Sequence, residues 1–141
     1  MIEPVPVMLT GPEDREGGSA AAVKKGWLVY DLGKRIGAFL ASKKERDNQA
    51  LQVQEFFEQD FRKLADSHPG AVIALANPGI LFEPELELNP RQLILWAARR
   101  GNIALIWPGR EERGVLKLGW EESPYGVDFS PEHVRILQEE I

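Results

Sequence analysis

The chain of 141 residues contains no cysteine, so disulfides and thiolate metal sites are excluded. The compartment is not fixed by that absence, and the cytoplasm is the default expectation. Histidine is scarce too: His68 and His133 stand alone, and neither makes a credible zinc site. No apolar run approaches the ~20 residues needed to cross a bilayer. The opening "MIEPVPVMLTG" has no basic leader, and Glu3, Pro4 and Pro6 interrupt its apolar run. It is expected to be neither a signal peptide nor a membrane span. An excess of positive charge is also missing. A formal net charge of -5 argues against nucleic-acid binding driven by whole-protein charge and leaves only a local basic patch for that role.

What is present is the make-up of a soluble globular protein, 43% hydrophobic and 28% charged. The length suits one domain over residues 1–141, burying roughly two thirds of its unfolded surface. Repeats and low-complexity linkers are absent. Val5 to Thr10 reads as a buried strand, and the aromatic and β-branched "WLVYDL" from Trp27 to Leu32 as a second. The interval between them is long enough for a loop and a short helix, as a βαβ crossover requires.

Gly33 to Ser42 predicts a helix through Ile36, Phe39 and Leu40. Val53, Phe56, Phe57, Phe61, Leu64 and Ala65 mark the clearest amphipathic helix. "AVIALANPG", Ala71 to Gly79, is a third strand. The following "ILFEPELEL" is expected to be extended. Asn89 caps a helix with Pro90 at its first position and Gly101 at its end. That helix is apolar over most of its circumference and should be largely buried. "NIALIWPG" gives a fourth strand, "VLKLGW" and "YGVDFS" a hairpin, and Ser130 caps a last helix, "PEHVRILQEEI". Strands and helices alternating in this way predict an α/β domain whose mainly parallel sheet is covered on both faces. Ligands on such sheets bind outside the carboxyl ends of the strands.

Three loops fall there. After Thr10, "GPEDREGGS" offers Gly11, Gly17, Gly18 and Ser19, which is phosphate-loop material: flexible backbone and a hydroxyl. The lysine that such a loop needs is replaced by Gly18, and the spacing from Gly11 to Gly17 is one residue too long. Glu13, Asp14 and Glu16 set carboxylates where a polyphosphate would sit, and Arg15 offsets them only in part. Lys24 and Lys25 lie too far along the following helix to substitute. The ordinary reading is a polar loop before a helix capped by Ser19. After the third strand, where Mg²⁺-dependent hydrolysis needs an acid, stand Asn77 and Pro78. The fourth strand, where a polar residue would sense a γ-phosphate, ends in Trp107-Pro108-Gly109.

The stretch "NPGILFEPELELNPRQLILWAARRGNIALIWPG" resembles the BrxF family of small P-loop proteins from type 3 BREX phage-defence systems. "LGKRIGAFLASKKERDNQALQVQEFF" and "GVLKLGWEESPYGVDFS" are similar to further parts of that family. In its pattern an acid-ending strand leads to a Leu-Phe-acidic segment and a Leu-x-Leu-x-Pro approach to a helix, and the next strand ends in Trp-Asn-Gly. The resemblance implies a P-loop NTPase-like (AAA+/RecA-like) fold. The family's lysine maps onto Gly18, its acid onto Asn77, and its asparagine onto Pro108. Gly11, Gly17, Ser19, Leu81, Phe82, Pro90, Trp107 and Gly109 remain. The implied protein keeps the fold and has lost the catalytic groups: no catalytic residue, no metal site and no required cofactor, with Mg²⁺-ATP the disfavoured alternative. It would be an accessory or scaffold working through other subunits or self-association. The alternatives are a nucleotide-binding or weak ATPase subunit completed by a partner, and a small DNA-binding adaptor.

Other residues carry weaker signals. Glu83, Glu85 and Glu87 could hold Ca²⁺ or Mg²⁺ or meet a basic partner, but read more simply as the wet side of an extended segment. Arg99 and Arg100 either complement a helix carboxyl end or reach a neighbouring subunit. Lys24, Lys25, Lys34, Arg35, Lys43, Lys44 and Arg46 make a nucleic-acid or partner surface if they gather on one side, and otherwise a solvated one. Trp96 is expected in the core, and Trp27, Trp107 and Trp120 in packing roles, any exposed one being a protein-binding anchor.

Overall fold

The structure, a computed structural model, describes residues 4–10, 19–43, 48–119, 125–129 and 133–137. Its elements in chain order are β1 (Val5–Leu9), α1 (Ser19–Lys24), β2 (Leu28–Asp31), α2 (Leu32–Ser42), α3 (Gln49–Ser67) and β3 (Val72–Ala76). Two 3₁₀ turns, Pro78–Phe82 and Pro84–Leu86, lead to α4 (Pro90–Arg100) and β4 (Asn102–Trp107). Then come β5 (Gly109–Glu112), β6 (Val115–Leu118), β7 (Gly126–Asp128) and β8 (Val134–Leu137).

Five strands form a parallel sheet in the order β2-β3-β4-β1-β8. Side chains two apart share a face. Val5, Val7, Tyr30, Ile73, Leu75, Ile103, Leu105 and Trp107 therefore meet the buried faces of α2, α3 and α4 in one core. The opposite face presents Ala74, Ala76 and Ile106 to Ala22 of α1. Small side chains on both partners let so short a helix lie close to the sheet. The α/β class and the parallel sheet agree with the sequence.

On α3, Val53, Phe57 and Phe61 recur four apart and are buried, each worth roughly 1.5–3 kcal/mol. Asn89 caps α4 as expected, its side-chain oxygen accepting from the Gln92 N–H at 3.1 Å. The same helix corrects an expectation. Only Leu93, Ile94 and Ala97 are buried. Leu95 and Trp96 stay half-buried, because the sheet reaches one side only and the guanidiniums of Arg100 and Arg62 cover the Trp96 ring.

Two further corrections concern backbone shape. Residues after Ala76 are not extended: Pro78 and Pro84 each open a 3₁₀ turn, their fixed φ suiting its first position. Leu86 is buried there, and Glu83, Glu85 and Glu87 are exposed. The last helix is also replaced, since Val134–Leu137 is strand β8, parallel to β1. Pro6 lacks an N–H, and β1 pairs with β4 only from Val7 onward. Val5 and Pro6 would lie unpaired without β8, whose ladder covers Val5 to Met8. That pairing, with Val134 packed on the core, outweighs the weak stability of a short helix. The expected hairpin is the β6–β7 pair, widened by β5 into an antiparallel sheet in the order β5-β6-β7.

Candidate functional site

From β1 the chain crosses to β2 at the far edge of the sheet, whereas from β4 it passes β1 in the other direction to β8. The crevice where neighbouring strands send their connections opposite ways is where open α/β sheets hold ligands. Here it lies between β1 and β4. Thr10, buried at the end of β1, donates its backbone N–H to the Trp107 carbonyl at 2.9 Å and so ties the two strand ends together. Gly11, Gly17 and Gly18 lie outside the described residues, as do Glu13, Asp14, Arg15 and Glu16. Ser19 opens α1.

Asn77 follows β3, two strands from β1 and so about 10 Å away. It has a left-handed backbone, φ 53° and ψ 57°, which asparagine tolerates better than most residues. Its Nδ2 donates to Asp31 Oδ2 at 2.9 Å. Asp31 Oδ1 accepts from the Lys34 N–H at 2.9 Å, capping α2. One carboxylate thus holds both a helix start and the β3 loop. At Gly33 in that helix start, a Cβ would sit 3.4 Å from Asn77 Cβ, so α2 packs closely against the loop. Asp31 was not singled out from the sequence. The signal was present, because an acid between a strand and a helix is a cap pattern.

The Trp107-Pro108-Gly109 turn has a structural occupation throughout. The Trp107 indole is buried and donates Nε1–H to the Lys117 carbonyl at 2.8 Å. The Pro108 carbonyl accepts from the Gly119 N–H at 2.9 Å. A Cβ on Gly109 would collide with the Lys117 carbonyl oxygen and lie 2.9 Å from the Gly119 nitrogen. This turn launches β5 and anchors the small sheet beside the end of β4. Phe82 packs edge-on against Trp107 at 5.7 Å, and Tyr125 tilts against Phe82 at 6.2 Å.

The remaining candidates disperse. Arg99 and Arg100 are exposed in the last turn of α4, which delivers them to the amino end of β4, the opposite edge from Asn77 and Pro108. The Arg100 guanidinium lies 5.2 Å from the Trp96 ring centroid. Lys24 and Lys25 precede the amino end of β2, while Lys34 and Arg35 follow its carboxyl end, so these basic residues do not gather. Arg35 is committed to Asp60 at 3.0 Å. Lys43 lies over the Phe39 ring at 5.0 Å, and Lys44, Arg46 and Trp120 are outside the described residues. Among the described residues no group of three His, Asp or Glu could hold a metal ion. No helix among them is long and apolar enough to cross a membrane.

Tyr30, also missed in the sequence, is buried against Phe57 and Phe61 in edge-on contacts of 5.6 and 6.3 Å. Its hydroxyl donates to Asp60 Oδ2 at 2.8 Å. Burial first, and then this hydrogen bond to a carboxylate, push the phenol well above its ordinary value. On the small sheet, hydrogen bonds from Arg110 and then Lys117 hold the exposed Glu112 carboxyl below its usual range. Both networks fasten elements to one another.

Comparison of the chain with protein-family models, with curated proteins and with solved structures finds no significant match.

Proposed function

We propose that this chain is a catalytically degenerate P-loop NTPase-like domain, cytoplasmic, acting as an accessory or scaffold through protein–protein contacts. The setting that its resemblance to the BrxF family implies is a BREX-type antiphage defence system. The observation that carries the reading is the Asn77–Asp31 hydrogen bond. The position where a hydrolase would keep a magnesium-binding acid donates to a carboxylate already in place. A second acid there would lose that hydrogen bond and set a like charge against Asp31, at a cost in stability.

The strand order supports the P-loop part of the proposal, since β1 ends at the ligand crevice of the sheet. Trp107 and Gly109 support the degenerate part, since the indole bond to Lys117 and the absence of room for a Cβ commit them to the turn into β5. The place where β1 ends also favours a second reading, nucleotide binding completed by a partner. The adaptor reading has less behind it, because Lys24 and Lys25 stand at the other end of β2 from Lys34 and Arg35.

The purified chain is expected to leave Mg²⁺-ATP unbound and unhydrolysed, and duplex DNA unbound at low salt. Saturable ATP binding would favour the partner-completed subunit. DNA affinity that weakens steeply with salt would favour the adaptor.

A further inference from the structure

An open groove of about 560 Å³ runs between α3 and α4. Leu51, in the first turn of α3, is 54% exposed on its rim, and Leu95 and Trp96 of α4 lie half-buried along it, interspersed with the polar side chains of Gln54, Glu58 and Gln92. Glu87, just ahead of α4, is exposed at one end of the groove, and Arg99, in the last turn of α4, is exposed at the other. The two residues stand near opposite ends of this eleven-residue helix, which is roughly 16 Å long. Neither forms an ion pair among the described residues.

Opposite charges at the two ends of a groove that carries apolar side chains between them make it complementary to itself. Rotation by a half turn about an axis through its middle brings each charge onto its opposite and apolar surface onto apolar surface. The same rotation sets two copies of α4 antiparallel, so that each carboxyl end lies beside the other's amino end, which suits both helix dipoles. We propose that this face is a homodimer interface: α4 packs antiparallel on α4 of a second copy, and Arg99 of each chain pairs with Glu87 of the other. Leu51 of each chain enters the groove of the other copy. The inference rests on the reading of the chain as one that works through protein contacts, and it names a second copy as a partner. It also gives Arg99 a role across an interface that needs no nucleotide to receive it.

Sedimentation velocity of the full chain over the micromolar range tests the pairing. A concentration-dependent dimer is expected. E87R or R99E alone breaks both symmetry-related pairs and should weaken it about tenfold. Combining E87R with R99E should restore association, because the exchanged charges meet again across the axis. L51D should weaken the dimer without touching either charge. All three positions are exposed, and circular dichroism checks that each variant keeps its fold. R99Q, which removes the charge without reversing it, gives an independent reading should R99E perturb the helix. A chain that stays monomeric, a dimer indifferent to the single reversals, or a double variant that fails to recover would overturn the proposal. Dimerisation and nucleotide binding are separate measurements, so the interface and the functional reading can fail independently.

Discussion

Tyr30 is a phenol buried in an aromatic core, its hydroxyl bonded to the Asp60 carboxylate and its ring facing the Arg35 guanidinium at 4.9 Å. Its ionisation is opposed in the folded state and unopposed in the unfolded chain, where the group titrates near 10. Between the two values the unfolded chain holds fewer protons, so stability falls as pH rises past about 10. Thermal unfolding of Tyr30→Phe and of the native chain across pH 8 to 11 is expected to show this slope reduced in the variant. Equal slopes would place the titration elsewhere. Asn77 makes a second prediction at the same scale. Asn77→Asp sets a carboxylate against Asp31 and should cost about 1–2 kcal/mol near neutrality, modest because the pair is exposed. Denaturant unfolding should show that loss at neutral pH and a smaller one in acid, where a proton shared between the two carboxyls relieves the repulsion. A variant as stable as the native chain at pH 7 would separate Asn77 from the role given to it.

At the scale of elements, the turn between β4 and β5 is the most constrained. Gly109→Ala brings a methyl group against the backbone of β6, which can yield only by moving a strand. A loss of about 3 kcal/mol is expected, read as an earlier denaturant midpoint. An unchanged midpoint would mean that the two strands separate more easily than their close approach suggests. The same region marks where the sequence was legible and where it was not. Strands β1 to β4 and helices α2 to α4 follow from apolar spacing and caps, since Val53, Phe57, Phe61 and the Asn89-Pro90 pair act locally. "HVRIL" misled because its helix and strand readings differ only through β1, which lies far away in sequence. "ILFEPELEL" alternates like a strand, and it took Pro78 and Pro84 to turn it into two 3₁₀ turns.

At the scale of the whole molecule, the sheet order brings distant loops to one edge, and the positions singled out there in the sequence, Asn77 and Pro108, do lie at that edge. Asp31 was the missing piece. Its hydrogen bond to Asn77 spans 46 residues, a pairing that no local pattern carries. With it in view, two of the loops at the crevice edge have their polar groups occupied by the fold. The central claim is that this edge holds structure together and not a nucleotide. Isothermal titration of Mg²⁺-ATP into the purified chain tests it most directly. The account predicts no saturable heat, and saturable binding in the micromolar range would contradict it.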